Sequence, residues 1–283
     1  MSDFVLLFPG QGSQEPDMAA TVGRLRPDLL ELAAEAVGED PFPRVEESTR
    51  FAQPAIYCAA LAGLERLGRP QADLYAGHSL GEITALAATG ALSDEDGLHL
   101  VAERGRLMDA AAAETEGGML AISSAREDAA PIAERHGLTV ANDNGPAQVV
   151  LSGPLSGIEA AEAEAREQGL RAKRLPVAGA FHSPLMAHKV EPFLSFLREL
   201  DLREPSAPVY SCVTAAPFDD VPKRLSEALI EPVRWVEVLN ALYGAGGRRF
   251  TETGPGKVLG SLVRRTLDDV EVSSPDPAEA ASA

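Results

Sequence analysis

The sequence has only two cysteines, few aromatic residues and no long apolar run. Cys58 and Cys212 each lie inside an apolar segment, with no second cysteine or histidine at metal-binding spacing. We therefore expect two buried free thiols, and neither a disulfide framework nor a metal site. No stretch approaches the ~20 apolar residues that cross a bilayer, and Asp3 stands where a signal peptide carries positive charge. The expected location is the cytoplasm.

Basic residues are also scarce, since 25 Lys and Arg stand against 43 Asp and Glu, for a formal net charge of −18. Binding to nucleic acid or to an anionic membrane needs a basic excess, so both are excluded as main partners. The deficit is uneven: residues 1–169 carry a net charge of −17, and residues 170–283 a net charge of −1. An anionic ligand should therefore meet the second half of the chain, or a local cationic pocket in the first.

Hydrophobic residues make up 45% of the sequence, which is sufficient for one large domain with an insertion. Residues 4–8 are wholly apolar and end at Pro9-Gly10, as a buried strand of an α/β protein does. A second strand is predicted at residues 73–76, followed by a tight turn and a helix over 80–89. Ser93 is the predicted N-cap of a long helix that ends near residue 113.

Residues 117–179 predict a different order of elements, namely strand, helix, strand, strand, helix, strand. This is the order of a ferredoxin-like module. We therefore predict an α/β fold in which a large domain, residues 1–116 and 180–283, carries a ferredoxin-like insertion at 117–179. The remaining predicted elements are a helix at 187–200, a strand at 208–213, helices at 222–230 and 234–246, a strand at 248–253 and a frayed tail from Ser273.

The strongest chemical pattern is Gly77-His78-Ser79-Leu80-Gly81, a G-x-S-x-G between a predicted strand and a predicted helix. In such a turn the glycines relieve crowding around a serine whose hydroxyl stands at a helix N-terminus, near backbone N–H groups. This context favours a nucleophilic Ser79. The alternative is a glycine-bounded helix cap without catalytic chemistry.

A nucleophilic serine needs a base, and His182 is the candidate. It lies in the non-helical segment Gly179–Pro184, where the insertion returns to the large domain. His99 and His136 lie on or beside predicted helices and are expected to be surface or packing residues. The local pattern leaves two interpretations of His182 open, a general base and a structural histidine.

Arg104 lies on the same face of the predicted 94–113 helix as Leu100, Leu107 and Ala111. A guanidinium on an apolar stripe requires an anion. Two partners are equally open, a structural carboxylate such as Glu82 and the carboxylate of a substrate. The turn Gly10-Gln11-Gly12, directly after the first strand, is placed to supply a backbone N–H to an oxyanion.

Together these motifs resemble the malonyl-CoA:acyl carrier protein transacylases, the acyltransferases of fatty acid and polyketide synthesis. The resemblance implies a hydrolase-like α/β domain with a ferredoxin-like insertion, and it covers nearly the whole chain. The motifs that carry it are Phe8-Pro9-Gly10-Gln11-Gly12-Ser13-Gln14, Gln53-Pro54-Ala55, Gly77-His78-Ser79-Leu80-Gly81-Glu82, Arg104-Gly105, residues 142–153, Ala180-Phe181-His182 and Glu252-Thr253-Gly254-Pro255-Gly256-Lys257-Val258-Leu259.

The resemblance implies a role for each matching residue. Ser79 attacks the malonyl thioester, and His182 takes up and returns its proton. The backbone N–H groups of Gln11 and Leu80 hold the oxyanion, and Arg104 clamps the malonyl carboxylate. The bulky side chain of Phe181 disfavours an α-methyl branch, and the main-chain carbonyl of Ala228 orients the histidine. Ala228 stands where the family often has glutamine, but a main-chain carbonyl does not depend on the side chain.

The implied activity is a ping-pong transfer of malonyl from malonyl-CoA to the phosphopantetheine thiol of an acyl carrier protein, without a cofactor. Alternatives are a trans-acting polyketide acyltransferase with another extender unit, a serine thioesterase or editing hydrolase, and a non-catalytic scaffold. We expect a monomer that binds neither nucleic acid nor membrane. Arg174 and Lys189 are candidate carrier-docking residues, because both belong to the less acidic half of the chain.

Overall fold

A five-stranded parallel sheet forms the centre of the protein in a computed structural model that describes residues 3–274. Most of the tail predicted to be frayed lies outside these residues. The strands are β1 (Phe4–Phe8), β2 (Leu74–Gly77), β7 (Val209–Tyr210), β8 (Arg249–Glu252) and β9 (Glu271–Ser273). Their order across the sheet is β7-β2-β1-β8-β9.

Helices pack on both faces of this sheet, because successive side chains of β1 point to opposite faces and are all apolar. Leu6 and Phe8 face one core, and Val5 and Leu7 face the other. The helices are α1 (Met18–Leu25), α2 (Asp28–Val37), α3 (Thr49–Arg66), α4 (Gly81–Ala88), α5 (Asp94–Glu114), α8 (Val190–Leu197), α9 (Val221–Glu227), α10 (Trp235–Gly244) and α11 (Val258–Thr266), with short 3-10 helices at Phe42–Arg44 and Pro184–Lys189.

A second sheet, four-stranded and antiparallel, belongs to the insertion. The elements of the insertion are β3 (Gly117–Ile122), α6 (Arg126–Arg135), β4 (Thr139–Gly145), β5 (Gln148–Pro154), α7 (Leu155–Glu167) and β6 (Ala172–Arg174). The strand order is β4-β5-β3-β6, and α6 and α7 pack against an apolar core of their own. The order confirms the predicted ferredoxin-like module, while the proposed domain boundaries stay a prediction.

Backbone hydrogen bonds join the antiparallel sheet of the insertion to the large α/β domain. The Asp143 N–H of β4 donates to the Val233 carbonyl at 2.9 Å, and the Val233 N–H donates to the Ala141 carbonyl at 2.8 Å. Val233 follows α9 and precedes α10. The insertion is therefore fixed to the segment that connects these two helices.

Three further findings concern residues 3–274 only. None of their helices combines the length and apolar character needed to cross a bilayer. Within them, no three His, Cys, Asp or Glu side chains are grouped to hold a metal ion. Cys58 and Cys212 are buried free thiols, as predicted.

The main helices missing from the predictions are α1 to α3, which lie between the first two strands.

Candidate active site

Ser79 lies in a tight turn between β2 and α4, and its φ of 53° is in the left-handed region. Both flanking glycines are required by close backbone contacts. A Cβ at Gly77 would lie 1.9 Å from the Gly81 backbone, and a Cβ at Gly81 would lie 2.0 Å from the Phe8 carbonyl oxygen. The turn holds the hydroxyl at the carboxyl edge of the parallel sheet, where ligands of α/β proteins bind.

His182 contacts Ser79 although 103 residues separate the two, with 2.9 Å between the Nε2 and Oγ atoms. Its φ of 56° also lies in the left-handed region, which costs a non-glycine residue about 1 kcal/mol. Nδ1 lies 3.2 Å from the Glu231 carbonyl oxygen. Because a carbonyl can only accept, Nδ1 carries the proton and Nε2 is free to accept one from Ser79.

Two carbonyl groups act on His182, that of Glu231 and that of Ala228. The hydrogen bond goes to Glu231, whereas the resemblance implied Ala228. The Ala228 carbonyl also favours the protonated imidazole. Both residues belong to the turn that ends α9, where the Glu231 N–H bonds back to the Glu227 carbonyl. Carbonyl groups at a helix C-terminus stabilise a nearby cation.

Burial and neighbouring positive charge make His182 a neutral imidazole. Burial, followed by the charge of the Arg104 guanidinium, lowers its pKa from 6.5 to about 3, although the Glu231 and Ala228 carbonyls act in the opposite direction. At neutral pH the ring can therefore accept a proton. No carboxylate is needed to set the tautomer, because the Glu231 carbonyl does so.

Arg104 is buried to 3% exposure on α5 and points toward the nucleophile. Its Nη2 donates to Ser79 Oγ at 3.0 Å, and its Nη1 donates to Gln53 Oε1 at 2.9 Å. Within the described residues it makes no ion pair with Glu82, whose Oε1 accepts the Cys212 N–H at 2.8 Å. Arg104 therefore has neutral partners only, and its charge is available to an anion in the site.

Glu82 interacts with Arg104 through the electrostatic attraction of its carboxylate, without a hydrogen bond between the two side chains. Burial raises the Glu82 pKa to about 7, while the Cys212 N–H and the charge of Arg104 lower it. Burial lowers the Arg104 pKa to about 10, and Glu82 raises it. The pair thus offsets part of the cost of burying both groups without occupying the guanidinium.

Hydrogen bonds connect Arg104 to the turn after β1 through two residues of α3. Gln53 Nε2 donates to Thr49 Oγ1 at 2.8 Å, and Thr49 Oγ1 donates to Gln11 Oε1 at 2.9 Å. Gln53 and Thr49 are both buried and lie four residues apart, one turn of the helix. Because the Arg104 guanidinium can only donate, the amide oxygen of Gln53 must face Arg104 and its NH₂ group must face Thr49.

Thr49→Val, which keeps the shape but removes the hydroxyl, is expected to lower the rate at which Ser79 is acylated about tenfold. The buried Gln53 amide would lose its oxygen acceptor and keep only the weakly accepting Met108 sulfur, and the Gln11 amide would lose its donor, at a cost of about 1 to 1.5 kcal/mol. Thr49→Ser should restore the wild-type rate, and thermal melting should show that all three proteins are folded. Equal activity of the valine and serine variants would contradict a positioning role for Thr49.

The site residues described above line one cavity of about 280 Å³. Its wall includes Gln11, Ser79, Leu80, Arg104, Phe181 and His182, all of which were predicted as site residues. Asn144 of β4 also lines it and was not predicted; its Oδ1 lies 2.7 Å from His78 Nε2. The nucleophile turn is therefore tied to the insertion, and the site lies between the two sheets.

The candidate docking residues lie outside the cavity wall and already have carboxylate partners. Arg174 on β6 pairs with Glu162 at 2.7 Å and with Glu159 at 3.4 Å. Lys189 pairs with Glu114 at 2.7 Å, and only 13% of its side chain is exposed. Their role in docking stays a prediction. It is not favoured by the ion pairs, because the charges already have partners within the protein.

The two histidines expected to be surface or packing residues lie away from the nucleophile. His136 contacts Glu164, with 2.6 Å between Nε2 and a carboxylate oxygen. His99 is half-buried on α5. Neither lines the cavity.

Thr49, Gln53, Asn144 and Glu231 contact site residues but were not predicted as site residues, and Gln53 entered the sequence analysis only within the motif Gln53-Pro54-Ala55. Thr49 had one detectable signal, its spacing of one helical turn from Gln53. Asn144 and Glu231 had none, because their contacts with His78 and His182 join segments that are distant along the chain.

The chain matches the family model of the acyl transferase domain over residues 33–278. It is 40% identical to the polyketide biosynthesis protein ThaF of Burkholderia thailandensis over 94% of the chain, but it spans only 24% of that protein. It is 37% identical to a malonyl CoA-acyl carrier protein transacylase of Bacillus subtilis, over 99% of the chain and 96% of that relative.

Solved structures of malonyl-CoA:acyl carrier protein transacylases are similar to this chain as well. The crystal structure of a malonyl-CoA:acyl carrier protein transacylase from Xanthomonas oryzae superposes with a TM-score of 0.91 at 34% identity, covering 99% of this chain and 97% of that one. A malonyl CoA-acyl carrier protein transacylase from Burkholderia pseudomallei gives 0.86 at 36% identity, covering 94% and 98%.

Proposed function

Because this chain belongs to the acyl transferase family, we propose that it transfers malonyl from malonyl-CoA to the phosphopantetheine thiol of an acyl carrier protein. The observation that carries this proposal is the contact of Ser79 Oγ with both His182 Nε2 and the Arg104 guanidinium. A nucleophile, its base and an uncommitted buried cation meet at one atom. This arrangement suits an acyl group that ends in a carboxylate.

In the first half-reaction, Ser79 Oγ attacks the thioester carbonyl and its proton passes to His182 Nε2. The backbone N–H groups of Gln11 and Leu80 stabilise the oxyanion. The carbon–sulfur bond then breaks, and the imidazolium returns the proton to the sulfur of the leaving CoA. The products are a malonyl-Ser79 ester and free CoA.

In the second half-reaction, the thiol of the carrier protein gives its proton to His182 and attacks the ester carbonyl. The carbon–oxygen bond to Ser79 breaks, and the serine oxygen takes the proton back. The Glu231 carbonyl stabilises each transient imidazolium. The cycle uses no cofactor, because the side chains supply both nucleophile and base.

The substrate itself favours base catalysis by His182. Burial, and after it the charge of Arg104, lowers the pKa of this histidine in the free protein. A malonyl carboxylate bound to the guanidinium neutralises that charge, so it raises the proton affinity of Nε2 at the moment when Ser79 must be deprotonated. A neutral acyl group such as acetyl gives no such compensation.

Fatty acid synthesis and polyketide synthesis both stay open as the pathway, and the relatives include two polyketide biosynthesis proteins and a malonyl CoA-acyl carrier protein transacylase. Phe181 supports malonyl over a branched extender unit, because its ring is buried at 6% exposure in the cavity wall. We also propose that the protein acts as a monomer in the cytoplasm and binds neither nucleic acid nor membrane.

The test is incubation with malonyl-CoA, with and without a phosphopantetheinylated carrier protein, followed by intact-mass analysis. We expect a malonyl-enzyme without the carrier and a malonyl-carrier as the main product with it. Free malonate as the main product in the presence of carrier would instead identify a hydrolase. Failure to form any acyl-enzyme would favour a non-catalytic scaffold.

A further inference from the structure

Ser13 is a buried serine of the turn that follows β1, and its hydroxyl is bonded to the backbone of that turn. The residue is 4% exposed, and its Oγ donates to the Gly10 carbonyl oxygen at 2.7 Å. Gln11 and Gly12 line the cavity, whereas Ser13 does not. The hydroxyl therefore influences the cavity only through the backbone of the turn.

The Gly10 carbonyl belongs to the same peptide group as the Gln11 N–H, which is the proposed oxyanion donor. This peptide bond is trans, and a trans peptide group is planar, with its C=O and N–H pointing in opposite directions. A hydrogen bond that fixes the direction of the Gly10 oxygen therefore fixes the direction of the Gln11 N–H. Donation to the carbonyl also polarises the peptide group, which makes its N–H a stronger donor.

The Gln11 N–H is free to bind an oxyanion. It has no hydrogen-bond partner among residues 3–274, and the same holds for the Leu80 N–H. The next N–H of the turn, that of Gly12, instead donates to Gln14 Oε1 at 2.8 Å. The side chains of the turn thus fix two successive peptide groups and leave the Gln11 N–H unoccupied.

Close packing holds the turn beside the nucleophile. A Cβ at Gly10 would lie 2.4 Å from the carbonyl oxygen of His78, the residue before Ser79. On another side, a Cβ at Gly256 would lie 3.1 Å from the Ser13 carbonyl oxygen. These contacts fix the position of the turn. They do not fix the plane of the peptide group, because glycine at position 10 has wide backbone freedom and the plane can rotate while the flanking Cα atoms stay in place.

We propose that Ser13 is a positioning residue of the oxyanion site, which orients and polarises the peptide group that carries the Gln11 N–H. The inference rests on the proposed function, since it requires this N–H as an oxyanion donor. The negative charge develops on the thioester oxygen only in the transition state, so Ser13 affects the acylation rate and not the binding of substrate. This oxygen is common to all acyl groups. Ser13, unlike Arg104, therefore does not distinguish malonyl from acetyl.

The test is Ser13→Ala, measured as the single-turnover rate at which malonyl-CoA and acetyl-CoA acylate Ser79, with intact mass as the readout. We expect both rate constants to fall about tenfold and by the same factor, which is less than the roughly 10²- to 10³-fold cost of losing an oxyanion donor, because the N–H is still present. The half-saturating concentration of each CoA ester should stay within about twofold of wild type. Ser13→Thr, which keeps the hydroxyl, should restore most of the rate.

The matched control is Thr89→Val, because Thr89 is also 4% exposed and its hydroxyl donates to the Leu86 carbonyl at 2.9 Å, at the end of α4 far from Ser79. It should lose comparable thermal stability and keep the wild-type acylation rate. A wild-type rate in Ser13→Ala, or equal losses of rate in Ser13→Ala and Thr89→Val, would overturn the proposal.

Three other results would overturn it as well. A loss confined to malonyl would assign Ser13 to the Arg104 clamp, and a change in the half-saturating concentration alone would assign it to substrate binding. A folded threonine variant as slow as the alanine variant would show that the hydroxyl does not set the rate. A wild-type protein that forms no acyl-enzyme would instead overturn the proposed function, and this inference with it.

Discussion

Ser79→Ala is expected to abolish the malonyl-enzyme and to lower malonyl transfer by roughly 10⁴-fold or more. The reason is that both half-reactions pass through an ester to this oxygen, so no other group can substitute for it. Intact-mass analysis after incubation with malonyl-CoA measures the ester directly. The variant should stay folded, because alanine removes only the hydroxyl and adds no atoms to the tight turn.

The control for Ser79→Ala is Ser156→Ala, at an exposed serine of α7 that lies outside the cavity wall. It should form the malonyl-enzyme at the wild-type rate. A stable malonyl adduct on the Ser79→Ala protein would show that another residue is the nucleophile. The roles proposed for His182, Gln11 and Leu80 would then fail as well, since each is defined relative to this oxygen.

Arg104→Ala is expected to lower the kcat/KM for malonyl-CoA by on the order of 10²- to 10³-fold. Loss of the guanidinium leaves a carboxylate unpaired in a buried site, which costs about 3 to 4 kcal/mol, and each 1.36 kcal/mol is a factor of ten in rate. Transfer of acetyl, which has no carboxylate, should fall by less than about tenfold. The ratio of the two rates therefore isolates the clamp from the Arg104 contact with Ser79.

Arg106→Ala is the matched control, because Arg106 lies two residues away on the same helix, is exposed and pairs with Glu103. It should change neither rate. Equal losses of malonyl and acetyl transfer in Arg104→Ala would mean that the arginine only maintains the geometry of Ser79. A selective loss of malonyl transfer would support the interpretation that its charge binds the acyl carboxylate.

Much of the fold could be predicted, because its signals are local. An apolar run ended by Pro9-Gly10, an N-cap at Ser93 and alternating strands and helices from residue 117 each act within a few residues. The structure accordingly has β1 at Phe4–Phe8, α5 at Asp94–Glu114 and the β-α-β-β-α-β module. The three helices between Met18 and Arg66 were not predicted, and α3 among them supplies Thr49 and Gln53.

The candidate site was predicted less completely, because its partners are distant in sequence. Arg104 could be assigned to a buried face, but not to Gln53, which is 51 residues away. The carbonyl that orients His182 was assigned to Ala228. That carbonyl acts on the ring, but the Glu231 carbonyl, which lies 3.2 Å from Nδ1, could not be predicted, since the chain turns again after α9. Arg174 and Lys189 were predicted as docking residues from the charge of their half of the chain, which could not indicate that each pairs with a glutamate.

The sequence by itself determined the nucleophile turn. Glycine at position 77 is demanded by the Gly81 backbone within the turn itself, a contact that forms when a strand, a serine turn and a helix succeed one another. Glycine at position 81 is demanded by the Phe8 carbonyl of β1, which the parallel sheet brings close. Only the tertiary structure decided which groups meet at Ser79. His182 is 103 residues away and Arg104 is on another helix, so their approach depends on how the sheet, α3, α5 and the insertion pack. Tertiary packing likewise decided that Arg174 and Lys189 pair with glutamates.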